Sequence, residues 1–424
     1  MIDIKEKKNC CGCEACVQRC PKSCITMRED NEGFLYPEVD KNICIDCGLC
    51  EKVCPVINQA EERKPLAVYA AKHKDEQIRM ASSSGGAFTA IAESVIDEGG
   101  VVFGAKFNQD WDVVHSYTET KEGLGAFRGS KYVQSRIGES YKEAESFLKA
   151  GRKVLFSGTP CQIAGLKRFL RKEYDNLLTV DFICHGVPSP GVWREYLKEE
   201  TARQCSEKKS VLQRPIHERN AFIEGISFRD KRLGWKKYSF ALALSTTNGS
   251  GAKNTVLLSE PLNKNIFLRG FLADLYLRPS CHVCPAKSLK SGSDITVADF
   301  WGIQYVIPEI DDDKGVSVVM VNSYVGDNLL KRLNLDLWLS DYVLVLGFNH
   351  SLEKSALMSK KRDAFFRDSD FSFGKKVLKL TKPTLKQRIK GYLFHFVSLI
   401  LSKEQRLFIK KHLKVAGVSN HTSS

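Results

Sequence analysis

Two cysteine runs near the amino terminus restrict what this chain can fold into more than any other feature. The first run is Cys10-x2-Cys13-x2-Cys16-x3-Cys20-Pro21, and the second, which begins 34 residues later, is Cys44-x2-Cys47-x2-Cys50-x3-Cys54-Pro55. A [4Fe–4S] cluster needs one thiolate for each iron, and three closely spaced cysteines can wrap a short loop around three of the irons. The fourth cysteine is displaced, and in paired runs of this spacing it ligates the other cluster.

The spacing therefore predicts two [4Fe–4S] clusters that exchange their fourth ligands. We expect one cluster on Cys10, Cys13, Cys16 and Cys54, and the other on Cys44, Cys47, Cys50 and Cys20. Two zinc sites or a disulfide framework fit less well, because a tetrahedral zinc site is built from two cysteine pairs. Cys11 and Cys24 lie inside the runs but outside the ligand spacing, and we expect them to be packing residues.

Size and composition place these runs in a larger redox protein. At 424 residues the chain is long enough for two or three domains. The first eight residues lack the apolar stretch of a signal peptide, so we expect a cytoplasmic protein. Fifteen cysteines in such a chain indicate metal or redox chemistry, because disulfides are rare in a reducing cytosol.

After a polar linker at 59–65, strands and helices alternate along the chain. Strands are predicted at 67–72, 101–107, 153–157, 177–183, 294–301 and 316–321, with helices around 88–96, 141–148 and 163–170 and from Pro190 onward. Strand, loop and helix in succession form the βαβ pattern, which predicts a largely parallel sheet. Segments 226–230 and 238–244 are predicted to be antiparallel strands.

Four further cysteines can complete another site. Cys281-x2-Cys284 supplies two corners of a metal site, and Cys161 and Cys184 follow consecutive predicted strands. Ligands in such sheets bind at the carboxyl ends of strands, so these four thiolates can satisfy a third [4Fe–4S] cluster. The alternative is that Cys161 and Cys184 are small buried residues, while the Cys281 pair is a redox dithiol or half of a zinc site.

A serine- and glycine-rich loop, Ser82-Ser-Ser-Gly-Gly86, lies between the strand at 67–72 and the following helix. A loop that opens a helix can offer N–H groups and the positive end of the helix dipole to a phosphate. Serine and glycine are also common helix caps, so the loop by itself fits both interpretations.

Seven short motifs occur in order between residues 82 and 302. They are Ser82-Ser-Ser-Gly-Gly-Ala-Phe, Gly99-Gly-Val-Val-Phe-Gly-Ala, Arg128-Gly-Ser-Lys-Tyr-Val-Gln-Ser, Phe156-Ser-Gly-Thr-Pro-Cys-Gln, Cys184-His-Gly-Val-Pro-Ser-Pro, Cys281-x2-Cys284 and Asp294-Ile-Thr-Val-Ala-Asp-Phe-Trp-Gly. Together with the cysteine runs, these motifs resemble the family of the coenzyme F420 hydrogenase/dehydrogenase beta subunit. The resemblance covers roughly residues 1 to 305.

The resemblance implies a flavin-dependent iron–sulfur oxidoreductase with FAD as its flavin. The flavin-contact residues that it implies are Ser83, Ser84, Gly85, Gly86, Phe88, Lys131, Tyr132 and Gln134. Electrons would pass through the flavin between the clusters and a two-electron donor or acceptor, either an F420-like deazaflavin or another small-molecule substrate. The alternative is a non-catalytic electron-transfer subunit that serves a redox partner protein. Surface-polysaccharide synthesis is one setting for it, because similar bacterial proteins accompany that process.

We therefore predict an α+β ferredoxin-like dicluster module followed by an α/β flavin-binding body with a mixed, largely parallel sheet. The predicted parts are a two-[4Fe–4S] ferredoxin domain at 1–60, a family N-terminal-like domain at 66–150, a family C-terminal-like domain at 151–345 and a basic amphipathic tail at 346–424.

The net charge of +14 is concentrated in that tail. Twelve Lys and Arg residues and one acid, Glu404, lie between Lys375 and Lys414. They flank the apolar segment 391–401, which is too short to span a bilayer but long enough to lie in its interface. We expect residues 375–414 to contact the inner face of the membrane peripherally, or to pack on the body with a solvated basic face. Nucleic acid is a poorer fit, because the aromatic residues do not alternate with the bases.

Overall fold

The computed structural model describes residues 1–207, 221–247, 253–368 and 371–383. At the amino terminus, two short helices and a hairpin carry the cysteine runs: α1 Ala15–Arg19, β1 Ile25–Glu29, β2 Leu35–Val39 and α2 Leu49–Lys52. The hairpin is antiparallel, with Ile25 opposite Val39, and Gly33 in its turn adopts a φ of +79°. Gly48 before α2 also adopts a left-handed conformation, with φ +67°, so that the chain turns sharply inside the second cysteine run. The hairpin predicted between the two runs is confirmed.

The body is organised around a sheet of eight described strands. They are β3 Ala67–His73, β4 Val101–Phe107, β5 Val113–Thr118, β6 Val154–Ser157, β7 Leu177–Phe182, β11 Ile295–Asp299, β12 Ser317–Val321 and β13 Leu335–Ser340, and their order across the sheet is β13-β3-β12-β11-β7-β6-β4-β5. Four neighbouring strands, β4, β6, β7 and β11, are parallel, and five of the eight point in the same direction. The prediction of a mixed α/β body is thus confirmed.

The edges of this sheet differ from the sequence-based expectation. The sequence did not predict the antiparallel strands β5 and β13. Strand β3 lies between β12 and β13 and pairs antiparallel with both. Both edge strands expose part of their surface, so their hydrophobic pattern is weaker than that of a strand buried on both faces. The single sheet also spans the two family-like segments that the sequence separates near residue 150.

Helices cover the two faces of the sheet and its connections. They are α3 Glu76–Ala81, α4 Ala87–Asp97, α5 Ser140–Lys149, α6 Pro160–Leu170, α7 Pro190–Glu207, α8 Ile266–Leu272, α9 Ile303–Val306, α10 Tyr324–Leu330, α11 Tyr342–Phe348, α12 Arg362–Arg367 and α13 Phe373–Thr381. Helix α6 starts directly after β6 because Thr159 and Gln162 form a reciprocal capping box and Pro160 occupies the first turn. This cap determines the position of Cys161 at the carboxyl end of the sheet.

A second sheet contains β8 Ala221–Asp230, β9 Ser239–Thr247 and β10 Lys253–Pro261 in the antiparallel order β10-β9-β8. The pairing of β8 with β9 matches the antiparallel prediction, whereas β10 was not predicted. Aromatic residues from this sheet and from α7 and α8 form one core, in which Trp193, Phe228 and Phe267 are fully buried. Aromatic packing of this size holds the second sheet against the body.

Described residues within the predicted tail also pack on the body. Phe373 and Val377 of α13 are buried in the same aromatic core, because α13 lies across α7 and α8. The predicted boundary at residue 346 therefore does not coincide with a change in packing. The rest of the basic segment, from residue 384, lies outside the described residues. Among the residues described, no helix is both long enough and apolar enough to cross a membrane.

Polar and steric contacts fasten the N-terminal module to the body. The buried Glu14 carboxylate accepts hydrogen bonds from the amides of Ile137 (2.9 Å) and Gly138 (3.2 Å). Burial raises the pKa of Glu14, and these amides partly offset the rise. Backbones also meet closely at Gly33 and Gly191, where a Cβ built on Gly191 would lie 2.7 Å from the Gly33 Cα. The module therefore has a defined position on the body.

Replacing Gly191 by Ala should weaken this attachment. The added Cβ overpacks the contact with Gly33, and overpacking of this kind costs about 1–3 kcal/mol. We expect a lower urea midpoint and faster proteolytic release of the module than in the wild type. Gly125→Ala is the matched control, because a Cβ there meets nothing within 4 Å. A Gly191→Ala protein as stable and protease-resistant as the wild type would contradict the close packing.

Candidate metal centres and cofactor site

The first set of cysteines, Cys10, Cys13, Cys16 and Cys54, lies in the interior of the N-terminal module. Three of the four are buried, and Cys10 is partly exposed. Burial, followed by the charges of Cys10 and Cys54, raises the pKa of Cys16. Although a hydrogen bond from Cys11 lowers the pKa of Cys13, burial with the charges of Cys16 and Cys54 raises it, so each thiol acts on others of the set. Iron binding deprotonates such thiols, and four thiolates are the donor set of one [4Fe–4S] cluster. The residues present therefore fit that group.

The second set lines one small cavity. Its predicted members, Cys20, Cys44, Cys47 and Cys50, surround this cavity together with Cys24. Backbone amides point at two of the sulfurs: the Ile2 N–H donates to Cys50 Sγ (3.2 Å) and the Asp46 N–H to Cys44 Sγ (3.4 Å). Hydrogen bonds to ligand sulfurs stabilise thiolates and tune cluster potentials. Cys47 is exposed, so this set lies at the protein surface.

Cys24 is nearer to this cavity than the sequence indicated. Its Sγ lies 3.4 Å from the Sγ of Cys20, and its thiol also interacts with Cys44. Burial and the neighbouring Cys20 thiol raise the pKa of Cys24 to about 12. The pKa of Cys20 is lowered, because hydrogen bonds from the Cys24 amide and thiol outweigh its own burial. Cys20 is therefore the better thiolate ligand of the two, and Cys24 is its hydrogen-bonding neighbour.

The third set of cysteines lines a cavity of its own, the third cavity. Cys161 lies in the first turn of α6, Cys184 follows β7, and Cys281 and Cys284 lie in and just after a single turn at Pro279–Val283. Because β6 and β7 are parallel neighbours, their carboxyl ends bring Cys161 and Cys184 to one side of the sheet. All four cysteines line this cavity.

The four cysteines of the third set match the donor number of one [4Fe–4S] cluster. Within the described ranges, no three His, Cys, Asp or Glu side chains are close enough to hold one metal ion. Tetrahedral zinc needs its sulfurs to lie ~2.3 Å from one point, whereas each thiolate of a [4Fe–4S] cluster binds a different iron. The four thiols of the third cavity therefore fit a cluster by their chemistry and number.

Charged groups around the third cavity act on these thiols. The nearly buried Lys287 ammonium donates to the carbonyls of Cys184 (2.5 Å) and Ser351 (2.6 Å). Burial raises the pKa of Cys184, and the charge of Lys287 opposes that rise. Asp181 also lines the cavity, and burial raises its pKa to about 6 although Ser291 and Thr296 donate hydrogen bonds to it.

The first and third sets adjoin each other through Cys11. This cysteine is 5% exposed, and its thiol interacts with both Cys13 and Cys161. Helix α6 approaches the module closely at Gly165, where a Cβ would lie 2.8 Å from the Cβ of Cys13. The sequence assigned Cys11 only to packing, since nothing in its spacing indicated that the body would bring Cys161 to it.

The serine–glycine loop is held by the protein itself. Ser83 Oγ accepts from the Ser130 amide (2.6 Å), and the Gly85 amide donates to Ser317 Oγ (2.9 Å). A Cβ at Gly85 would lie 2.3 Å from the Ala71 carbonyl oxygen, and Gly86 adopts a φ of +90°. The glycines are thus required by the packing of β3 and β12, and the Gly85 N–H has no free hydrogen for a phosphate.

Buried cations surround this loop. Arg229 forms a two-pronged ion pair with Asp299 (2.8 and 3.1 Å) and donates to the Tyr132 hydroxyl (3.2 Å). Lys231 donates to three carbonyls, including that of Ser84 (2.7 Å), and burial lowers its pKa to about 7. The sequence reasoning did not select Arg229 or Lys231, because β8 and the residue that follows it lie outside the motifs of the loop.

Two orphaned polar atoms lie in the same region. In the described structure neither Arg229 Nε nor His115 Nδ1 has a hydrogen-bond partner, although both atoms are buried. Burial, with a further contribution from the charge of Lys131, lowers the pKa of His115 to about 4, so its imidazole is neutral near pH 7. Among the described residues no carboxylate pairs with Lys131, whose ammonium donates to the carbonyls of Arg128 and Gly129 and lies over the Phe107 ring. A donor, an acceptor and an unpaired cation together fit a polar anionic cofactor.

The resemblance-based flavin residues do not form one group. Ser83 and Tyr132 lie beside Arg229, whereas Gln134 donates to the Cys11 carbonyl (3.0 Å) and accepts from Arg278 (2.9 Å) beside the first cysteine set. Phe88 packs into the core of the large sheet. The structure thus gathers part of the predicted set and places the other part elsewhere.

Aromatic rings connect the loop region to the third cavity. The Tyr132 ring stacks on Phe271, with centroids 5.0 Å apart. Phe271 in turn meets the edge of His185 at 5.6 Å, and His185 lines the third cavity. His185 also contacts Asp274, with 2.6 Å between Nε2 and Oδ1. A cofactor beside Tyr132 would therefore lie close to the third set of thiols.

Family models match three parts of this chain. Residues 9–58 match the 4Fe–4S dicluster domain. Residues 68–141 match the N-terminal part, and residues 151–340 the C-terminal part, of the coenzyme F420 hydrogenase/dehydrogenase beta subunit.

The chain spans about half or less of the length of the curated relatives described next. One component of the F(420)H(2) dehydrogenase of Methanosarcina mazei is 27% identical over 43% of this chain and 55% of that component. The coenzyme F420-dependent sulfite reductase of Methanocaldococcus jannaschii is 26% identical over 46% of this chain and 30% of that enzyme. A chain of the F420-reducing [NiFe] hydrogenase complex of Methanosarcina barkeri is 15% identical, with a TM-score of 0.40 over 77% of this chain and 92% of that one.

The paired cysteine runs and the matched dicluster domain define an iron–sulfur redox protein. The chain belongs to the family of the coenzyme F420 hydrogenase/dehydrogenase beta subunit, and the two models of that family cover most of the body. The family resemblance identified from the seven motifs is confirmed.

Single substitutions test whether Cys20 or Cys24 is the ligand of the second cluster. Cys24→Ala should keep the full iron content, because its thiol stays protonated and only supports Cys20. Cys20→Ala should lose about four irons per chain, or recruit Cys24 with an altered cluster spectrum. Iron and sulfide counts with low-temperature EPR of anaerobically purified protein measure both results. Loss of iron from Cys24→Ala alone would reverse the assignment.

Proposed function

We propose that this protein is a flavin-dependent iron–sulfur oxidoreductase that passes electrons between a two-electron substrate and three [4Fe–4S] clusters. The observation that carries the proposal is the third cavity, in which four cysteines from three separate segments meet next to the first cysteine set. Buried thiols with raised pKa values are costly to ionise without a metal, and ligation to iron removes that cost.

The proposed order of the centres follows from their contacts. The loop region around Tyr132 lies beside the third cavity through Phe271 and His185, and the third set adjoins the first set through Cys11. The second set completes the module and reaches the surface at Cys47. Such a series leads from a buried substrate site to an exposed edge where a protein partner can exchange electrons.

A bound flavin would supply exchange between two-electron and one-electron chemistry, because a cluster accepts only one electron at a time. The chain's own residues would bind and orient that group. Lys131 and Arg229 would supply positive charge and N–H donors, and neutral His115 would offer an acceptor nitrogen. Tyr132 and Phe271 would provide aromatic walls. FAD is the flavin that the family membership favours.

An F420-like deazaflavin is the proposed two-electron substrate. The support is family membership together with the names of the relatives, a component of an F(420)H(2) dehydrogenase and a coenzyme F420-dependent sulfite reductase. The second candidate is an electron-transfer subunit without a substrate of its own, which the exposure of Cys47 in the second set favours. Reduction of the purified protein by F420H2, followed in its visible spectrum, tests the first candidate. Reduction only through an added partner protein would support the second.

Iron counts test the third cluster in the full-length protein. The wild type should contain about twelve irons per chain, and Cys284→Ser about eight, because one of three four-iron clusters is lost. Cys13→Ser should lose the four irons of a different cluster, so the protein with both substitutions should retain about four irons per chain. A folded wild-type protein with about eight irons, unchanged by Cys284→Ser, would show that the third cavity holds no cluster.

The pH dependence of flavin binding tests Lys131. Burial lowers the pKa of its ammonium to about 8 in the free protein, whereas an anionic ligand favours the charged form. Binding must therefore take up a proton above that pH, and affinity should fall by up to about tenfold per pH unit as pH rises above 8. Lys131→Met should bind more weakly and without this slope, as measured by fluorescence titration with FAD. Exposed Lys74 provides the control substitution Lys74→Met. An unchanged slope in Lys131→Met would exclude Lys131 from the site.

A further inference from the structure

Arg278 is a buried cation between two of the cysteine sets. Arg278 is 1% exposed and lies three positions before Cys281 in the sequence. The backbone around it is fixed, because its N–H donates to the Val187 carbonyl (3.0 Å) and its carbonyl accepts from the Cys281 amide (2.9 Å). Arg278 is thus a sequence neighbour of the third cysteine set, while its side chain contacts Cys10 of the first set.

The guanidinium makes several hydrogen bonds, and most of its partners are neutral. It donates to the carbonyls of Cys10 (2.8 Å) and Leu35 (2.9 Å) and to Gln134 Oε1 (2.9 Å). The remaining contact joins Nη2 to Cys10 Sγ at 3.5 Å. Its carbon also lies over the Tyr36 ring, 4.4 Å from the centroid. Among the described residues, no carboxylate forms a hydrogen bond or ion pair with Arg278, and the Glu14 carboxylate interacts with it only electrostatically, at longer range.

A buried charge without a carboxylate needs another counter-charge. A thiolate at Cys10 would supply that charge, because its sulfur is in direct contact with the guanidinium. The backbone accommodates this contact at Gly12, where a Cβ would lie 2.9 Å from the guanidinium carbon.

We propose that Arg278 is the internal counter-ion of the cluster on the first cysteine set and raises the reduction potential of that cluster. When this cluster accepts one electron from its neighbour, it gains one negative charge and no bond forms or breaks. A fixed cation stabilises the more negative state, so an electron arriving from the third set would favour the first. Arg278 is therefore a positioning and tuning residue. This inference rests on the proposed clusters.

The experiment is an EPR-monitored redox titration of the full chain. The signal of the first cluster is identified by its absence in Cys13→Ser. Arg278→Gln should lower the midpoint of that signal by on the order of 60 mV or more, which is tenfold in the equilibrium constant of a one-electron couple. Arg278→Lys should retain most of the potential, because it keeps the charge.

The matched control is Arg362→Gln. Arg362 is also a buried arginine that contacts the module, but its charge is paired with the Glu32 carboxylate (2.9 and 2.6 Å). Its loss should leave the midpoint unchanged. If Arg278→Gln loses iron, Gln134→Glu provides a second test, since it places a negative charge beside the guanidinium and should also lower the midpoint.

The outcomes separate this inference from the proposed function. An iron-loaded Arg278→Gln protein with an unchanged midpoint would overturn the inference, as would an unchanged midpoint in Gln134→Glu. An equal shift of the midpoint in Arg362→Gln would also overturn the inference. The effect would then come from the attachment of the module to the body and not from the charge of Arg278. A wild-type protein without the Cys13-dependent signal would instead contradict the proposed function.

Discussion

The close packing of helix α6 against the N-terminal cysteine loop is the contact on which the arrangement of the redox sites depends. Gly165 lets the helix approach Cys13 so closely that a Cβ would be 2.8 Å from the Cβ of that cysteine. The same helix carries Cys161 in its first turn, and the Thr159 capping box sets the start of the helix. One packed helix therefore joins the module to the third cavity, and Cys11 lies between them.

Burial decides the chemistry of these thiols. Desolvation raises the pKa of Cys16, Cys184 and Cys281, so a metal-free protein would hold them as neutral thiols. The cations nearby, Lys287 and Arg278, are themselves buried and lack carboxylate partners within the described structure. Anionic clusters would remove the cost of burying both the thiols and the cations. The thiolates would then carry the negative charge that compensates Lys287 and Arg278 in a region of low polarity.

The serine–glycine loop has a structural role that its sequence did not reveal. Its glycines are required by close contacts with β3 and β12, and its Gly85 amide is already bonded. The polar atoms with free bonding capacity belong to other elements, at Arg229 in β8 and His115 in β5. The unsatisfied polar atoms of this region therefore lie on residues outside the loop, while the motif shapes the backbone.

The sequence by itself determined the cysteine chemistry and much of the central sheet. Ligand spacing is local, so the two runs, the hairpin between them and the αβ succession through β7 could be predicted from periodicity and turn residues. The four cysteines that the sequence grouped, Cys161, Cys184, Cys281 and Cys284, line one cavity, and parallel pairing of β6 with β7 brings the first two to the same edge. Only the tertiary structure decided the antiparallel edges β5 and β13, the separation of Gln134 from Tyr132, and the contact of Arg278 with Cys10. Most of these depend on pairings between residues far apart in the chain, whose energies come from burial and packing and leave no periodic signal in the sequence.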